Sequence, residues 1–499
     1  MQMRLWDWNR LNGNPQRTHA SEGIRLISNM STVSNGSTDL PYEPLTGLAK
    51  PKLQKPRLRT RKPPEPSVRE QVLADFGVFR RSGHWNPNPS RKLRAERDRR
   101  LYTQLLQGLA RHHRLLEAVV QGRLHRGIQL NPEVAAALEL GAFELLHMDR
   151  IPAHATLNEL VGVIRQQSGA AASRLVNGVL RNLQRDLEAD KPVLGEHSLA
   201  VRTSHPDWMV ERWMRHYGEE RTTRICEANN RFSGITLCPS LDLSGAELQQ
   251  QLTEEGVQAT PHLLIPEALL VEQSAGIWGT RAYTEGRFWV QDTSSQVVTS
   301  LLAERLKGTV LDVCAAPGGK TLGLSRKGMR VQAVCDLSMR RMRRVRNNFE
   351  RCQVPCPPLL VADGTALPVP DGSVDAVLLD VPCSATGTIR KHPDIKWTRS
   401  ESELLNWLPL QRRLLREAAR VVRPGGVIAY ATCSLEPEEN LRQVQFFLEE
   451  IPKFVLEPWS ASKKLPEAWK GWETREGAWQ MLPDGTTMGF YAAFLRRVE

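Results

Sequence analysis

Several features are scarce or missing. No run approaches the ~18 uninterrupted apolar residues that a membrane-spanning helix needs, and the opening MQMRLWDWNR lacks the apolar core of a secretory signal. A soluble, cytoplasmic protein is expected, without a membrane partner. The 499 residues include only eight cysteines, at 226, 238, 314, 335, 352, 356, 383 and 433, too scattered for a disulfide framework. Cys352 and Cys356 (CQVPC) make half a metal site with no second half, so no metal is expected. Acids are outnumbered: 55 Asp and Glu against 67 Lys and Arg leave a net charge of +12. Such an excess suits a polyanionic partner, because neutralising phosphates releases counterions.

The length suggests about three units at roughly 150 residues each. Residues 1–66 lack apolar periodicity and carry AKPKLQKPRLRTRKPPEP, the composition of a basic disordered extension. In residues 67–188, Leu101, Leu105, Leu106 and Leu109 recur at helical spacing, as do Leu138, Leu140, Phe143, Leu145 and Leu146, which predicts an all-α domain. Its basic edges, RKLRAERDRR and RHHR, read as solvated helix faces. Residues 189–290 set a helix, SGAELQQQLTEEG, between strand-like ITLC and FWVQD, a small α+β unit preceded by linker helices. Residues 291–499 alternate strand and helix through TVLDVC, VQAVCD, LLVAD, DAVLLDV and VIAYAT, which predicts an α/β, Rossmann-like parallel sheet.

After the first of these strands comes LDVCAAPGGKT. Gly318 and Gly319 permit close backbone approach to a ligand, and the following helix offers its N-terminal amides. A phosphate loop is excluded because its first glycine is Cys314, and the dinucleotide G-x-G-x-x-G is absent. Asp336 ends the second strand, where an acid accepts from ribose hydroxyls, and Asp363 ends the third, where it suits an adenine amino group. Together they favour an adenosine cofactor without phosphates, S-adenosylmethionine. The fourth strand delivers Asp380 and Cys383 and the fifth delivers Cys433, so the three should converge beside the cofactor. Thiol and carboxylate near a methyl donor suit an unreactive aromatic carbon such as cytosine C5: thiolate addition at C6 makes C5 electron-rich, and an acid at N3 and the exocyclic amine stabilises the adduct. Ser434, Glu436 and Pro437 read as a helix start, which would lower the pKa of Cys433 just ahead of it, partly offset by Glu438 and Glu439. These residues alone leave Cys383 open as the nucleophile, since DNA cytosine methyltransferases use a Pro-Cys thiol on the equivalent strand.

VLDVCAAPGGKT, LLDVPCSATGTIRKHPDIKW and YATCSLEPEEN resemble the motifs of RNA 5-methylcytosine methyltransferases of the RsmB (Sun/Fmu) family, and RIPAHATLNELV and RLVNGVLRNL resemble its NusB-like RNA-binding domain. The resemblance covers residues 67–499. It implies methylation of a cytosine in small-subunit (16S) ribosomal RNA by a monomer using S-adenosylmethionine. It also implies that Cys314, Ala315, Ala316, Pro317, Gly318, Gly319, Lys320, Asp336, Asp363 and Asp380 hold the cofactor or target base, that Cys433 is the nucleophile and that Cys383 assists release. Lys320 suits either the cofactor carboxylate or a network with Asp380. Arg390, Lys391 and His392, directly after the PCS loop, are expected to contact RNA, whereas MRRMRRVRNN reads as a solvated face. Rival readings are a sister enzyme acting on tRNA or another rRNA site, and a non-catalytic RNA-binding or antitermination factor. Residues 67–92 match the family poorly, and MLPDGTTMGFYAAFLRR, with TTM where relatives tend to carry a second Gly-Asp, is expected to form a strand hairpin.

Overall fold

Ser67 accepts from the Glu70 N–H while the Glu70 carboxylate accepts from the Ser67 N–H, a reciprocal cap that starts helix α1 (Val68–Ser82). The described start of the poorly matching segment, residues 67–83, is thus well specified locally. The computed structural model describes residues 66–499 apart from 84, 86–92, 94, 126, 233, 273–275, 306–307, 462–465 and 486. The basic extension expected over 1–66 lies, but for its last residue, outside the described residues. Helix α2 (Glu96–Gln121) follows, then α3 (Pro132–His147), capped by Asn131 with proline in its first turn, and α4 (Ala153–Glu188), broken at Gly169. Leu105, Leu109, Leu138, Leu140, Leu160 and Leu180 interlock in one core. The helical spacing of the leucines produces the bundle.

A long helix, Asp207–Asn230, leads into a four-stranded antiparallel sheet of β1 (Ile235–Pro239), β2 (Thr260–His262), β3 (Ile265–Val271) and β4 (Phe288–Val290), in the order β2-β3-β1-β4. Helix Gly245–Glu254 packs on it behind a second capping box. The β2–β3 hairpin adds two strands that the sequence reading did not single out.

The largest sheet contains β5 (Thr309–Val313), β6 (Arg330–Asp336), β7 (Leu359–Val361), β8 (Val374–Asp380), β9 (Val422–Thr432), β10 (Phe454–Glu457), β11 (Trp479–Met481) and β12 (Phe490–Arg497). Its order is β10-β12-β9-β8-β5-β6-β7, with β11 on β12. Strands β5 to β9 pair in parallel, as expected. The sheet as a whole is mixed, because β12 runs antiparallel to β9, β10 and β11. The expected C-terminal hairpin is the β11–β12 pair. Ala376, Val377, Leu378 and Leu379 of β8 are all buried, as befits a parallel strand covered on both faces.

The strand order reverses between β5 and β8, since β6 and β7 are added on one side of β5 and β8 and β9 on the other, which makes a crevice at the C-terminal ends of these two parallel strands. The register aligns Val313 with Cys335 on one side and Leu379 on the other, and Asp336 with Val361 and Asp380 with Ala431 on neighbouring strands. Asp363, Asp336, Cys314, Asp380 and Cys433 therefore form one row along this edge.

Candidate active site

Immediately after β5, Cys314 adopts a left-handed backbone (φ 62°), Ala316–Pro317 is cis, and Gly318 (φ 93°) caps the helix Gly319–Arg326. A Cβ on Gly318 would also lie 3.0 Å from Val345, so glycine is needed for both conformation and space. The Cys314 thiol is pushed up by burial. Asp336 accepts from the Ser338 N–H at 3.1 Å and the Ala316 N–H at 3.3 Å, and faces Arg341. Asp363 Oδ1 accepts from the Thr365 N–H and hydroxyl, both at 2.8 Å.

A cavity of about 340 Å³ extends from this turn. Asp312, Ala315, Ala316, Pro317, Gly319, Lys320, Asp380 and Cys433 line one side; Asp336, Asp363 and Cys383 do not reach it. The strand-end row is thus divided between this chamber and the adjoining edge over β6 and β7. Asp312, an acid inside an otherwise apolar strand, was the residue that sequence reasoning missed and could have found. It accepts from the Thr321 hydroxyl at 2.5 Å, its Oδ1 is buried without a partner, and burial raises its pKa to about 7. The opposite wall includes Trp85, Thr103, Leu106 and Gln107, so the helical domain helps build the chamber.

Lys320 and Asp380 form an ion pair at 2.5 Å beside the Phe490 ring. Burial works against the lysine's charge, but the Asp380 carboxylate outweighs it and raises the pKa. The two sulfurs of Cys383 and Cys433 are 3.3 Å apart. Cys383 is only 2% exposed, and its pKa is held well up by the hydrogen bond to Cys433 and then by burial. Gly387 places its backbone between these loops: its N–H donates to the Cys433 carbonyl at 3.0 Å, and an added Cβ would meet the Gly489 carbonyl at 2.4 Å.

One expectation needs correction. No helix starts at Ser434; residues 433–440 form a turn and the helix begins at Leu441, so the helix-terminus argument for Cys433 fails. The turn persists because Asn440, whose amide donates to the Ser434 carbonyl at 2.9 Å and whose Oδ1 accepts from Thr432, ties its two ends together. Of the basic segment after the PCS loop, Lys391 and His392 line the cavity. Arg390 is buried with its carbonyl held by Arg111, and Lys391 pairs with Asp292 at 3.0 Å, while burial and then Lys391 lower the pKa of His392 to about 4. Among the described residues no group of His, Cys, Asp or Glu is placed to hold a metal, and Cys356 is exposed while Cys352 is buried.

A doubly wound sheet whose consecutive strand ends carry a glycine turn and acids, without a phosphate loop, defines an S-adenosylmethionine-dependent methyltransferase. The turn fits that cofactor: Asp312 Oδ1 is an uncommitted buried acceptor, and Asp336 and Asp363 retain lone pairs. Family models match over three segments: the NusB family at 80–185, an RsmF/B-like ferredoxin-like domain at 205–277, and 16S rRNA methyltransferase RsmB/F at 299–496. The chain belongs to the RsmB/F family of 16S rRNA methyltransferases. It is 33% identical over 407 residues to the ribosomal RNA small subunit methyltransferase B of Vibrio cholerae, covering 80% of this chain and 90% of that protein. With the Pasteurella multocida protein of the same name it shares 34% over 411 residues, 80% of this chain and 88% of the relative. The crystal structure of PH0851 superposes with a TM-score of 0.68 at 25% identity, covering 87% of this chain and 99% of that one.

Proposed function

We propose that this S-adenosylmethionine-dependent rRNA methyltransferase modifies C5 of a cytosine in 16S rRNA, with Cys433 as nucleophile and Cys383 assisting release. The observation that carries this reading is the sulfur–sulfur contact of 3.3 Å, with Cys433 alone of the two lining the chamber beside the Lys320–Asp380 pair. The residues Cys314 to Lys320, with Asp336 and Asp363, hold the cofactor. When bound, S-adenosylmethionine supplies the methyl group.

The buried Cys383 S–H lies against the Cys433 sulfur, which adds to C6 of the cytosine. As the sulfur adds, the proton that Cys433 gives up passes by way of Asp380, held in place by Lys320, to N3. The Asp380 carboxylate then accepts from N3–H and the exocyclic amine, which stabilises the electron-rich adduct. After C5 is methylated its proton passes to water, the C6–S bond breaks, and the Cys383 S–H receives the departing Cys433 thiolate. The base must swing out of its stack to meet the thiol, at least cost from an unpaired position. Work in the cytoplasm as a monomer accords with this reading, and no helix among the described residues is long and apolar enough to cross a membrane.

The test combines labelled S-adenosylmethionine, small-subunit rRNA and two variants. Cys433→Ala should abolish transfer; full transfer by this variant would refute the nucleophile assignment. Cys383→Ala should accumulate a protein–RNA adduct stable to denaturant. An adduct that forms only when Cys433 is absent would reverse the roles, and labelling of tRNA alone would redirect the substrate.

A further inference from the structure

Behind the two thiols lies a carboxylate that the chemistry above does not use. Glu439 has no exposed surface. Its Oε1 accepts from the Ser384 N–H at 2.9 Å and the Gln411 amide at 3.0 Å. Its Oε2 accepts from the hydroxyls of Ser384 and Ser434, the second at 2.5 Å, and those hydroxyls lie 3.0 Å apart. Ser384 directly follows Cys383, and Ser434 directly follows Cys433. One side chain therefore grips the residue after each thiol.

A buried acid is a costly way to fill space. An apolar side chain of similar volume would pack the same gap without desolvating a charge, but it would not hold two loops in register. A carboxylate can, because it offers about four lone-pair sites, and Glu439 receives four donors. Two of these are hydroxyls on different strand ends. A misplacement of about 1 Å in a reacting group can cost about 10²-fold in rate, so a device that fixes the sulfur–sulfur contact has a function in release.

We infer that Glu439 is a positioning residue for the thiol pair: by holding Ser384 and Ser434 it sets the Cys383 sulfur against the Cys433 sulfur, the contact on which release depends. This inference rests on the two-thiol chemistry proposed above. Removing the clamp affects the step that needs both thiols more than cofactor binding, which needs neither.

In the full-length protein, Glu439→Ala should keep the S-adenosylmethionine affinity by calorimetry and the KM for rRNA within about threefold, while kcat falls about 10²-fold and the denaturant-stable adduct accumulates. Glu439→Gln should restore kcat to within about fivefold, because its carbonyl still accepts from Ser384 and its amide can donate to rotated hydroxyls. If Glu439→Ala fails to fold, the Ser384→Ala, Ser434→Ala double variant, which keeps the carboxylate and removes two of its anchors, should show the same split. Unchanged kcat overturns the inference. So does a loss of kcat that tracks a loss of cofactor affinity, or one without adduct accumulation. Failure of the two-thiol chemistry itself appears separately, as absence of any Cys433-dependent adduct in the Cys383→Ala protein, and would remove the basis of this inference too.

Discussion

Cys383 and Cys433 carry the same Cys-Ser dipeptide at the ends of neighbouring parallel strands, yet their loops are anchored in different ways. The loop after Cys383 runs out to the helical domain, where Arg111 holds the Arg390 carbonyl, Lys396 is buried, and the Trp397 indole donates to the Ala110 carbonyl at 2.6 Å. The turn after Cys433 is short and is fixed by the helix Asp207–Asn230, from which Arg212 reaches Glu436 at 2.5 Å and also pairs with Glu438. One thiol is covered and the other lines the chamber. What separates two identical dipeptides is the neighbouring element that each loop is attached to. Breaking the two anchors separately should therefore disturb different steps.

The largest effect is expected from Arg212→Ala. Glu436 is fully buried and is held by Arg212 and, at 3.2 Å, by the Trp213 indole. Deleting one partner of a buried pair costs about 3–5 kcal/mol, because the remaining charge stays uncompensated. Urea unfolding should show this loss, and adduct formation at Cys433 should slow. A change under about 1 kcal/mol would mean that the turn does not depend on this anchor.

The strand-end row was legible because acids and thiols interrupt otherwise apolar runs: Asp336, Asp363, Asp380, Cys383 and Cys433 each stand where such a run stops, and parallel register does the rest. The small sheet was only half legible. Pro261 and Pro266 lie inside β2 and β3, and proline argues against a strand unless its missing donor is tolerated. The turn at 433–440 misled because Ser, Glu and Pro serve helix starts and turns alike; side-chain hydrogen bonds within the turn, from Asn440 to the Ser434 carbonyl and from the Ser434 hydroxyl to Glu439, decided between them. The inward course of 390–397 was illegible, since buried Arg and Lys depend on carbonyl acceptors that composition does not reveal. The part of the chamber wall formed by Gln107 and Thr103 depends on how the helical domain docks, which no local pattern encodes.

A second, smaller effect concerns the clamp shared by both loops. Burial raises the Glu439 pKa from 4.5 to about 7 despite hydrogen bonds from Ser384 and Ser434. The folded state thus holds its proton more tightly than the unfolded state. The stability cost is absent below about pH 4.5, grows as pH rises to about 7 and is constant above. Glu439→Gln has no such titration. Its stability relative to the native protein should therefore rise by about 3 kcal/mol across that window. Asp312 is raised to about 7 in both proteins, so the difference between them isolates Glu439. Parallel pH dependences in urea titrations would show that Glu439 does not titrate there.

The smallest effect should come from the other anchor. Lys396 is fully buried and donates to the Arg111 and Ser204 carbonyls, each at 3.0 Å, and to Asn230 Oδ1 at 2.7 Å. All three acceptors are neutral, and burial, then the Arg111 charge, push the lysine's pKa well down. Lys396→Met keeps most of the stem and relieves desolvation of the amine, but it leaves buried acceptors without that donor. These opposing effects should leave a net loss of about 1–2 kcal/mol, less than for Arg212→Ala. Hydrogen exchange should quicken over residues 390–398 while the turn at 433–440 stays protected. Because this loop carries Cys383, release should slow while addition by Cys433 proceeds, whereas Arg212→Ala should slow addition. Equal effects of the two variants on addition and release would show that the loops move as one body.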